Sequence, residues 1–189
     1  MTIIAGRATN ARPALFNITN MNINLIQAKI SDVEIILDIM DMARNYQRSL
    51  GFIQWEDDYP NRAIIEQDIT MGDAYVFIEE DQIVGYCVLP IGDSAYDELS
   101  NTWHNEGEYG VVHRLAFSDK IRGKGYSTFA FDLIETNFKS RGISSIRIDT
   151  SEQNIVMHHV LYRCNYRSHG AKLFPWGIRV AFEKVINHD

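Results

Sequence analysis

The sequence has few cysteines and no long apolar run, and each absence excludes a class of protein. Its two cysteines, Cys87 and Cys164, are far apart and form no CxxC pair, which argues against a disulfide framework and a structural zinc site. No apolar stretch approaches the ~20 residues that a membrane span needs, and the start of the sequence lacks a signal-peptide pattern. We therefore expect a cytoplasmic protein without a membrane partner.

Positive charge is also scarce. The 18 lysines and arginines are outnumbered by 25 acidic residues, which gives a formal net charge of -7. A protein that binds nucleic acid needs clustered basic residues to neutralise phosphates, so this charge argues against a nucleic-acid partner and favours a cationic substrate. The hydrophobic share of 46% and the charged share of 23% are typical of a folded domain rather than of a disordered chain.

A length of 189 residues is sufficient for one hydrophobic core, so we expect a single domain over residues 23–189. Residues 1–22 mix polar and apolar types without periodicity, which is typical of a flexible N-terminal extension or an expression remnant.

Apolar periodicity predicts strands and helices along the first half of the domain. A strand near 24–30 is followed by a helix over 31–50, which Gly51 can end in the left-handed conformation. Three further elements are predicted, namely a helix over 61–70 and a hairpin with strands over 74–79 and 83–89. The polar segment 91–107 is predicted to be a long loop of the kind that covers a binding site.

The second half contains a strand, a helix and another strand in succession, which is the order of a βαβ unit. The unit comprises a strand over 108–117, a helix over 125–141 that Gly142 ends, and a strand over 144–149. The domain is completed by a helix over 154–163 and by strands over 169–174 and 178–185, joined at Pro175-Trp176-Gly177.

The most informative stretch, VVHRLAFSDKIRGKGYST over residues 111–128, leads from the strand through a basic glycine turn into the helix. Gly123 and Gly125 allow the backbone to approach an anion, and the following helix directs N–H groups and the positive end of its dipole toward it. Arg122 and Lys124 add positive charge. The turn therefore predicts a pyrophosphate site, although RGKG also occurs as a solvated turn. The absence of Walker and GxGxxG patterns makes an ATP- or NAD-binding protein the weakest alternative.

The turn resembles the R/Q-x-x-G-x-G/A pattern of the GNAT superfamily of N-acetyltransferases, with Arg122, Gly125 and Ser127 at the defining positions. Ser127 replaces the usual Gly or Ala, and its small hydroxyl can still face a phosphate. The resemblance extends over roughly residues 24–186, since it includes HRLAF before the turn, RIDTSEQN after the helix and IRVAFEKV near the end. It implies an α/β fold with a mixed, twisted sheet of about seven strands, about four flanking helices and central strands that splay.

The resemblance also implies acetyl-CoA as the acyl-donor cosubstrate, with no metal. The backbone of Leu115, Ala116 and Phe117 would bind the pantetheine arm in the gap between the splayed strands. The pyrophosphate would be held by the turn residues Arg122, Gly123, Lys124, Gly125, Tyr126 and Ser127. Asn154, at the start of the next helix, would bind the coenzyme as well, while Asn in this position is also a common helix cap.

Candidate catalytic residues come from two regions of the family pattern. The general base is expected on the strand before the turn, at positions matched by Val111 and His113, of which only His113 titrates. Glu108, nearer the start of that strand, is a second candidate that would act through a water. The family's usual tyrosine acid falls on Leu161. The neighbouring Tyr162 is retained as a candidate, although one residue rotates a helical side chain by about 100°.

Trp55, Asp58 and Tyr59 form an aromatic and acidic cluster between the first two helices, where members of the family shape the acceptor pocket. Aromatic faces and carboxylates attract ammonium groups, which favours a role in binding a cation. The same cluster is equally typical of a packed interhelical loop with solvated acids.

Together these residues predict an acetyl-CoA-dependent N-acetyltransferase that moves the acetyl group directly to a primary amine of a small molecule or peptide. The amine would lose its proton to His113 or to a water chain, and no metal or acyl-enzyme would be needed. Leu161 in the tyrosine position motivates an alternative, a GNAT-like module that binds acyl-CoA or a protein partner without turnover. A homodimer is left open, because exposed edge strands near the C-terminus can pair between chains.

Overall fold

Two four-stranded sheets form the frame of the structure, a computed structural model that describes residues 22–99 and 102–186. In the first sheet the strands are, in order, β1 (Ile23–Gln27), β2 (Ala74–Glu79), β3 (Gln82–Val88) and β5 (His113–Phe117). In the second sheet they are β4 (Gly110–Val111), β6 (Ser145–Thr150), β8 (Gly177–Val185) and β7 (Arg167–Phe174). Within the described residues, β4 and β6 are the one parallel pair.

The described helices are α1 (Val33–Ser49), α2 (Arg62–Met71), α3 (Ser94–Asp97), α4 (Tyr126–Ser140) and α5 (Ile155–Arg163), with a short 3-10 turn (Ile30–Asp32) before α1. None of them has the length and apolar character that crossing a membrane requires. The apolar face of α1, which includes Ile36 and Met40, packs on Tyr86 of the first sheet. Phe131 and Phe138 of α4 belong to a second core cluster that draws residues from both sheets.

The chain changes sheets at Val112, between β4 and β5. The backbone N–H of Val112 still donates to the carbonyl of Arg147 in β6, at 3.0 Å. Beyond this point β5 pairs with β3, and a register shift between Tyr86 and Val88 marks a bulge in which Arg114 has a φ of 51°. A bulge bends and twists its strand, so β5 turns away from β6. The gap that opens between them contains the candidate site.

The segment before β4 is anchored on the second sheet by a buried carboxylate. Glu183 of β8 is 2% exposed and accepts hydrogen bonds from the backbone N–H groups of His104, at 2.7 Å, and Asn105, at 3.4 Å. The hydroxyl of Ser145 donates to the same carboxylate at 2.9 Å. These bonds hold the end of the segment that carries α3 against the sheet.

The predicted fold class is confirmed, and two details described below differ from the sequence-based prediction. The strand predicted over 108–117 begins at Gly110 and divides at Val112, so that about seven predicted strands become eight. The segment 91–107, predicted to be a loop, contains α3, which makes five helices instead of about four. The expectation for residues 1–22 concerns a segment that, except for Asn22, lies outside the described residues.

Candidate functional site

Two cavities open on the gap between the diverging strands. The smaller, of about 600 Å³, follows β5 toward the start of α4, and the larger, of about 870 Å³, lies between α2, the end of β6 and the turn from β7 to β8. Five residues line both cavities: Gln47, Trp55, Leu115, Asn154 and Met157. We call this ring of five residues the junction, because a ligand in one cavity meets a ligand in the other there.

The smaller cavity runs along an open strand edge. β5 is the last strand of its sheet, and beyond Val112 none of the strands in the described part of the chain pairs with its outer side. Leu115, Ala116 and Phe117 line the cavity. The outer backbone N–H and C=O groups of this strand can therefore bind an extended ligand that carries amide groups of its own.

The turn between β5 and α4 forms one end of the same cavity. Gly123 and Gly125 have φ values of 74° and 85°, a left-handed conformation that glycine adopts without steric cost. Gly125 is the N-cap of α4, and no side chain within residues 22–99 and 102–186 caps the helix. The N–H groups of the first turn and the positive end of the helix dipole are thus available to an anion. Besides the two glycines, Arg122, Tyr126 and Ser127 line the cavity, whereas Lys124 is exposed and does not line it.

Arg122 is held against the wall of the smaller cavity. Its guanidinium lies 4.2 Å from the ring centroid of Tyr46, donates to the carbonyl of Phe117 at 3.2 Å and pairs with Asp119. Arg163 of α5 adds a second guanidinium to the lining. An anion in this cavity would face two guanidinium groups and one carboxylate, so the local charge favours phosphate.

Asn154 is the helix cap of α5 and a part of the junction. Its Oδ1 accepts a hydrogen bond from the backbone N–H of Met157 at 3.2 Å. Its Nδ2 donates to Oγ1 of Thr150 at 3.2 Å and to Oε1 of Gln54 at 3.3 Å. The side chain is therefore already tied to the protein at both ends of its amide.

His113 lines the larger cavity and has a carboxylate behind it. Its Nε2 lies 2.9 Å from Oδ2 of Asp93, and its ring packs edge-on against Tyr96 and Trp176. Burial would raise the pKa of Asp93, but hydrogen bonds from His113 and from the backbone N–H of Ala95 outweigh burial and lower that pKa. An ionised Asp93 that accepts from Nε2–H leaves the imidazole lone pair on Nδ1.

Asp93, which contacts His113, was not among the candidate residues that the sequence indicated. Asp93 caps α3, since its Oδ1 accepts from the N–H of Ala95 at 2.8 Å, and the hydroxyl of Tyr109 donates to its carbonyl at 2.9 Å. The available signal was an Asp-Ser pair inside the polar segment 91–107, which is typical of a helix start. Nothing local indicates that this cap lies beside a histidine 20 residues later.

The larger cavity carries more negative than positive charge. Its lining includes the carboxylates of Glu56, Asp68, Asp73, Asp93 and Asp149 and the guanidinium groups of Arg114 and Arg179. Arg114 forms two hydrogen bonds with the buried Asp68, at 2.7 and 3.0 Å, so these two charges largely cancel. Burial raises the pKa of Asp73, and among the described residues no side chain donates a hydrogen bond to its carboxylate. This wall favours a cationic ligand.

The aromatic and acidic cluster predicted between the first two helices is only partly at the site. Trp55 lies at the junction, and Tyr59 lines the larger cavity, where its hydroxyl accepts from Nη1 of Arg114 at 3.2 Å. Asp58 is exposed and lines neither cavity. The two aromatic residues thus line the site, while the acid does not.

Two of the catalytic candidates lie away from both cavities. Glu108 is exposed just before β4 and lines neither cavity. Tyr162 is 55% exposed, and its ring packs edge-on against Phe182 with a centroid distance of 5.5 Å. The preceding Leu161 is fully buried in the core. Of the three catalytic candidates, only His113 lines one of the two cavities.

The chain matches a known protein family in sequence. The sequence model of the Acetyltransferase (GNAT) family matches residues 38–166. A search of curated protein sequences gave no match.

Solved structures of acetyltransferases share the fold. An acetyltransferase of the GNAT family from Streptococcus agalactiae is 29% identical, with a TM-score of 0.78 over 89% of this chain and 100% of that chain. The PaiA N-acetyltransferase from Thermoplasma acidophilum, in complex with coenzyme A, is 14% identical, with a TM-score of 0.68 over 87% and 99%. The aminoglycoside acetyltransferase AAC(6')-Ib, in complex with ribostamycin and coenzyme A, is 14% identical, with a TM-score of 0.64 over 86% and 93%. At 14% identity the likeness concerns the fold alone.

Proposed function

The chain belongs to the GNAT family of acetyltransferases, and on that premise we propose that it transfers the acetyl group of acetyl-CoA directly to a primary amine. The observation that carries the proposal is the junction, where a cavity with an anion-binding end meets a cavity with His113 and an excess of carboxylates. Two proteins of the same fold were solved with coenzyme A, which supports acetyl-CoA as the donor.

The residues of the smaller cavity fit acetyl-CoA. A pyrophosphate matches the uncapped start of α4 and the guanidinium of Arg122. The amides of a pantetheine arm match the open edge of β5, from Leu115 to Phe117. When bound, acetyl-CoA supplies a thioester carbonyl that an amine can attack. Backbone N–H groups near Leu115 would stabilise the negative charge that develops on its oxygen.

His113 would accept the proton that the ammonium form of the substrate must lose. A primary amine with a pKa near ~10.4 is mostly protonated at neutral pH and has no lone pair for attack. Nδ1 of His113 takes the proton, and Asp93 on Nε2 stabilises the imidazolium that results. The nitrogen then attacks the carbonyl carbon directly and forms the C–N bond of a tetrahedral adduct. The nitrogen of the adduct loses its extra proton to solvent, the C–S bond breaks, and the imidazolium returns its proton to sulfur, so that CoA leaves as the thiol.

The first test is amine-dependent release of thiol from acetyl-CoA, followed with a thiol reagent. The panel comprises butylamine, putrescine, agmatine, ribostamycin and a peptide with a free N-terminus. We expect at least one amine to raise the rate well above the rate without amine. If acetyl-CoA binds and no amine stimulates release, the binding module that Leu161 motivates is the better description.

The acceptor is expected to carry a second positive charge. Asp73→Asn should raise the KM for putrescine about tenfold, because a hydrogen bond to a charged group contributes ~1.5–3 kcal/mol. The KM for butylamine, which has no second cation, should change little. The control Asp58→Asn removes a carboxylate that lines neither cavity and should leave both KM values unchanged. An equal change for both amines in Asp73→Asn would contradict this assignment.

The double substitution Arg122→Ala/Lys124→Ala should weaken acetyl-CoA binding about tenfold or more, as measured by calorimetric titration. Most of the loss should come from Arg122, since Lys124 lies outside the cavity. The control Arg48→Ala/Lys139→Ala changes the net charge equally at residues that line neither cavity. Full affinity in the first variant would mean that the turn is an ordinary basic loop.

We also propose that the protein forms a homodimer and is located in the cytoplasm. β7 is the last strand of the second sheet and most of its residues are exposed, which supports pairing with another chain. Cys87 and Cys164 are both buried and unpaired, which supports a reducing compartment.

A further inference from the structure

One amide at the junction has no hydrogen-bond partner within the described part of the chain. Gln47 lies in the last turn of α1, is 8% exposed and lines both cavities. Its Oε1 is buried and accepts no hydrogen bond from any described residue. Buried polar atoms in native proteins nearly always have a partner, so this unpaired oxygen needs an explanation.

Asn154 carries the other side-chain amide of the junction, and its hydrogen bonds are those of a structural residue. Oδ1 of Asn154 accepts from the backbone N–H of Met157, and its Nδ2 donates to Thr150 and Gln54. Asn154 is thus fixed by the protein alone, whereas Gln47 is not. The difference indicates that Gln47 completes its hydrogen bonds with a molecule in the cavities.

An unpaired amide oxygen needs a donor, and two molecules of the proposed reaction bring N–H groups to the junction. The amides of the pantetheine arm already match the open backbone edge of β5. The acceptor amine has three N–H groups as an ammonium ion, and His113 removes one of them. A second N–H remains free, and it becomes a stronger donor as the attacking nitrogen gains positive charge.

We propose that Oε1 of Gln47 accepts a hydrogen bond from the acceptor amine and thereby orients the nitrogen lone pair toward the thioester. The inference rests on the proposed function. Rotation about the last side-chain torsion, which is a soft one, turns either end of the amide toward the cavities. His113 and Gln47 then act on two different N–H groups of the same nitrogen, and the lone pair released by His113 points at the carbonyl.

The decisive variant is Gln47→Met, which keeps the length of the side chain but removes the acceptor. We expect kcat/KM for the amine to fall about tenfold or more while the KM for acetyl-CoA stays unchanged. The melting temperature should not fall, because the variant removes an unpaired buried polar atom. Gln47→Glu retains an acceptor oxygen and should keep kcat/KM within about threefold of the wild type.

The matched control is Gln153→Met. Gln153 is exposed and lines neither cavity, so its substitution should leave all kinetic constants unchanged. Unchanged amine kinetics in Gln47→Met overturn the proposal. A raised KM for acetyl-CoA also overturns it, since the amide would then belong to the pantetheine arm. An equal loss in the Met and Glu variants does so too, because it indicates that Gln47 donates instead of accepting.

Failure of the proposed function would look different from failure of this inference. If the proposed function is wrong, the wild-type protein releases no thiol with any amine of the panel. Calorimetric titration of putrescine into the complex with CoA does not require turnover, so it compares the amine affinity of wild type and Gln47→Met directly. Equal affinity in that titration overturns the role of Gln47, and weaker affinity in the variant supports it.

Discussion

Replacing His113 with glutamine is expected to lower kcat about 10²–10⁴-fold while acetyl-CoA still binds. Glutamine can keep a hydrogen bond to Asp93 but cannot take a proton from the substrate. The difference in kcat between the wild type and this variant should become smaller as the pH rises toward the pKa of the amine, because more of the substrate is then already deprotonated when it binds. Steady-state thiol release over a range of pH measures both effects.

The control for this variant is His159→Gln. His159 is exposed on α5 and lines neither cavity, so its substitution should leave kcat and its pH dependence unchanged. A deficit in His113→Gln that stays constant from neutral to alkaline pH would show that His113 supports the site without accepting the proton.

Gly125→Val is expected to weaken acetyl-CoA binding about 100-fold, equivalent to about 2.7 kcal/mol. Gly125 has a φ of 85° at the N-cap of α4, and a β-branched residue is a steric outlier in that conformation. The turn must therefore change its conformation, and the N–H groups of the first turn of α4 no longer converge on one anion. Calorimetric titration with acetyl-CoA measures the loss.

The control is Gly142→Val, which introduces the same kind of backbone strain without changing the glycine turn before α4. Gly142 has a φ of 79° just after the other end of α4, and a Cβ there would meet no atom within 4 Å. Both variants should lower the melting temperature, because both force a valine into the left-handed region. Only Gly125→Val should change the affinity for acetyl-CoA, and a similar change in Gly142→Val would refute the assignment of the turn.

Local patterns predicted most of the secondary structure because each pattern acts within a few residues. Gly51 and Gly142, which the sequence predicted to end two helices, have φ values of 85° and 79°. The hairpin after β2 was predicted with a polar turn of three residues. It closes instead on Glu80 and Asp81 alone, both with positive φ, so that Gln82 already belongs to β3.

A candidate site can be predicted from sequence where its function depends on one continuous segment. Backbone N–H groups of a glycine turn and a helix start are neighbours in sequence, so the pattern around Gly123 and Gly125 indicates an anion site by itself. Side-chain direction in the irregular loop after α1 has no such periodicity. For that reason the sequence could not show that Trp55 and Tyr59 face the site while Asp58 does not.

The sequence by itself determined the class of fold, the glycine turn before α4 and the excess of acidic residues, because these depend on periodicity, local backbone conformation and composition. Only the tertiary structure decided that Asp93 lies beside His113 and that Glu183 anchors the segment around His104, 79 residues away. It also placed Gln47, whose Oε1 has no partner among the described residues, where the two cavities meet. Each of these contacts joins elements whose relative position follows from the packing of the whole core. A side chain's neighbours across such a distance are set by sheet register and by the splay at Val112, and no local pattern in one sequence specifies them.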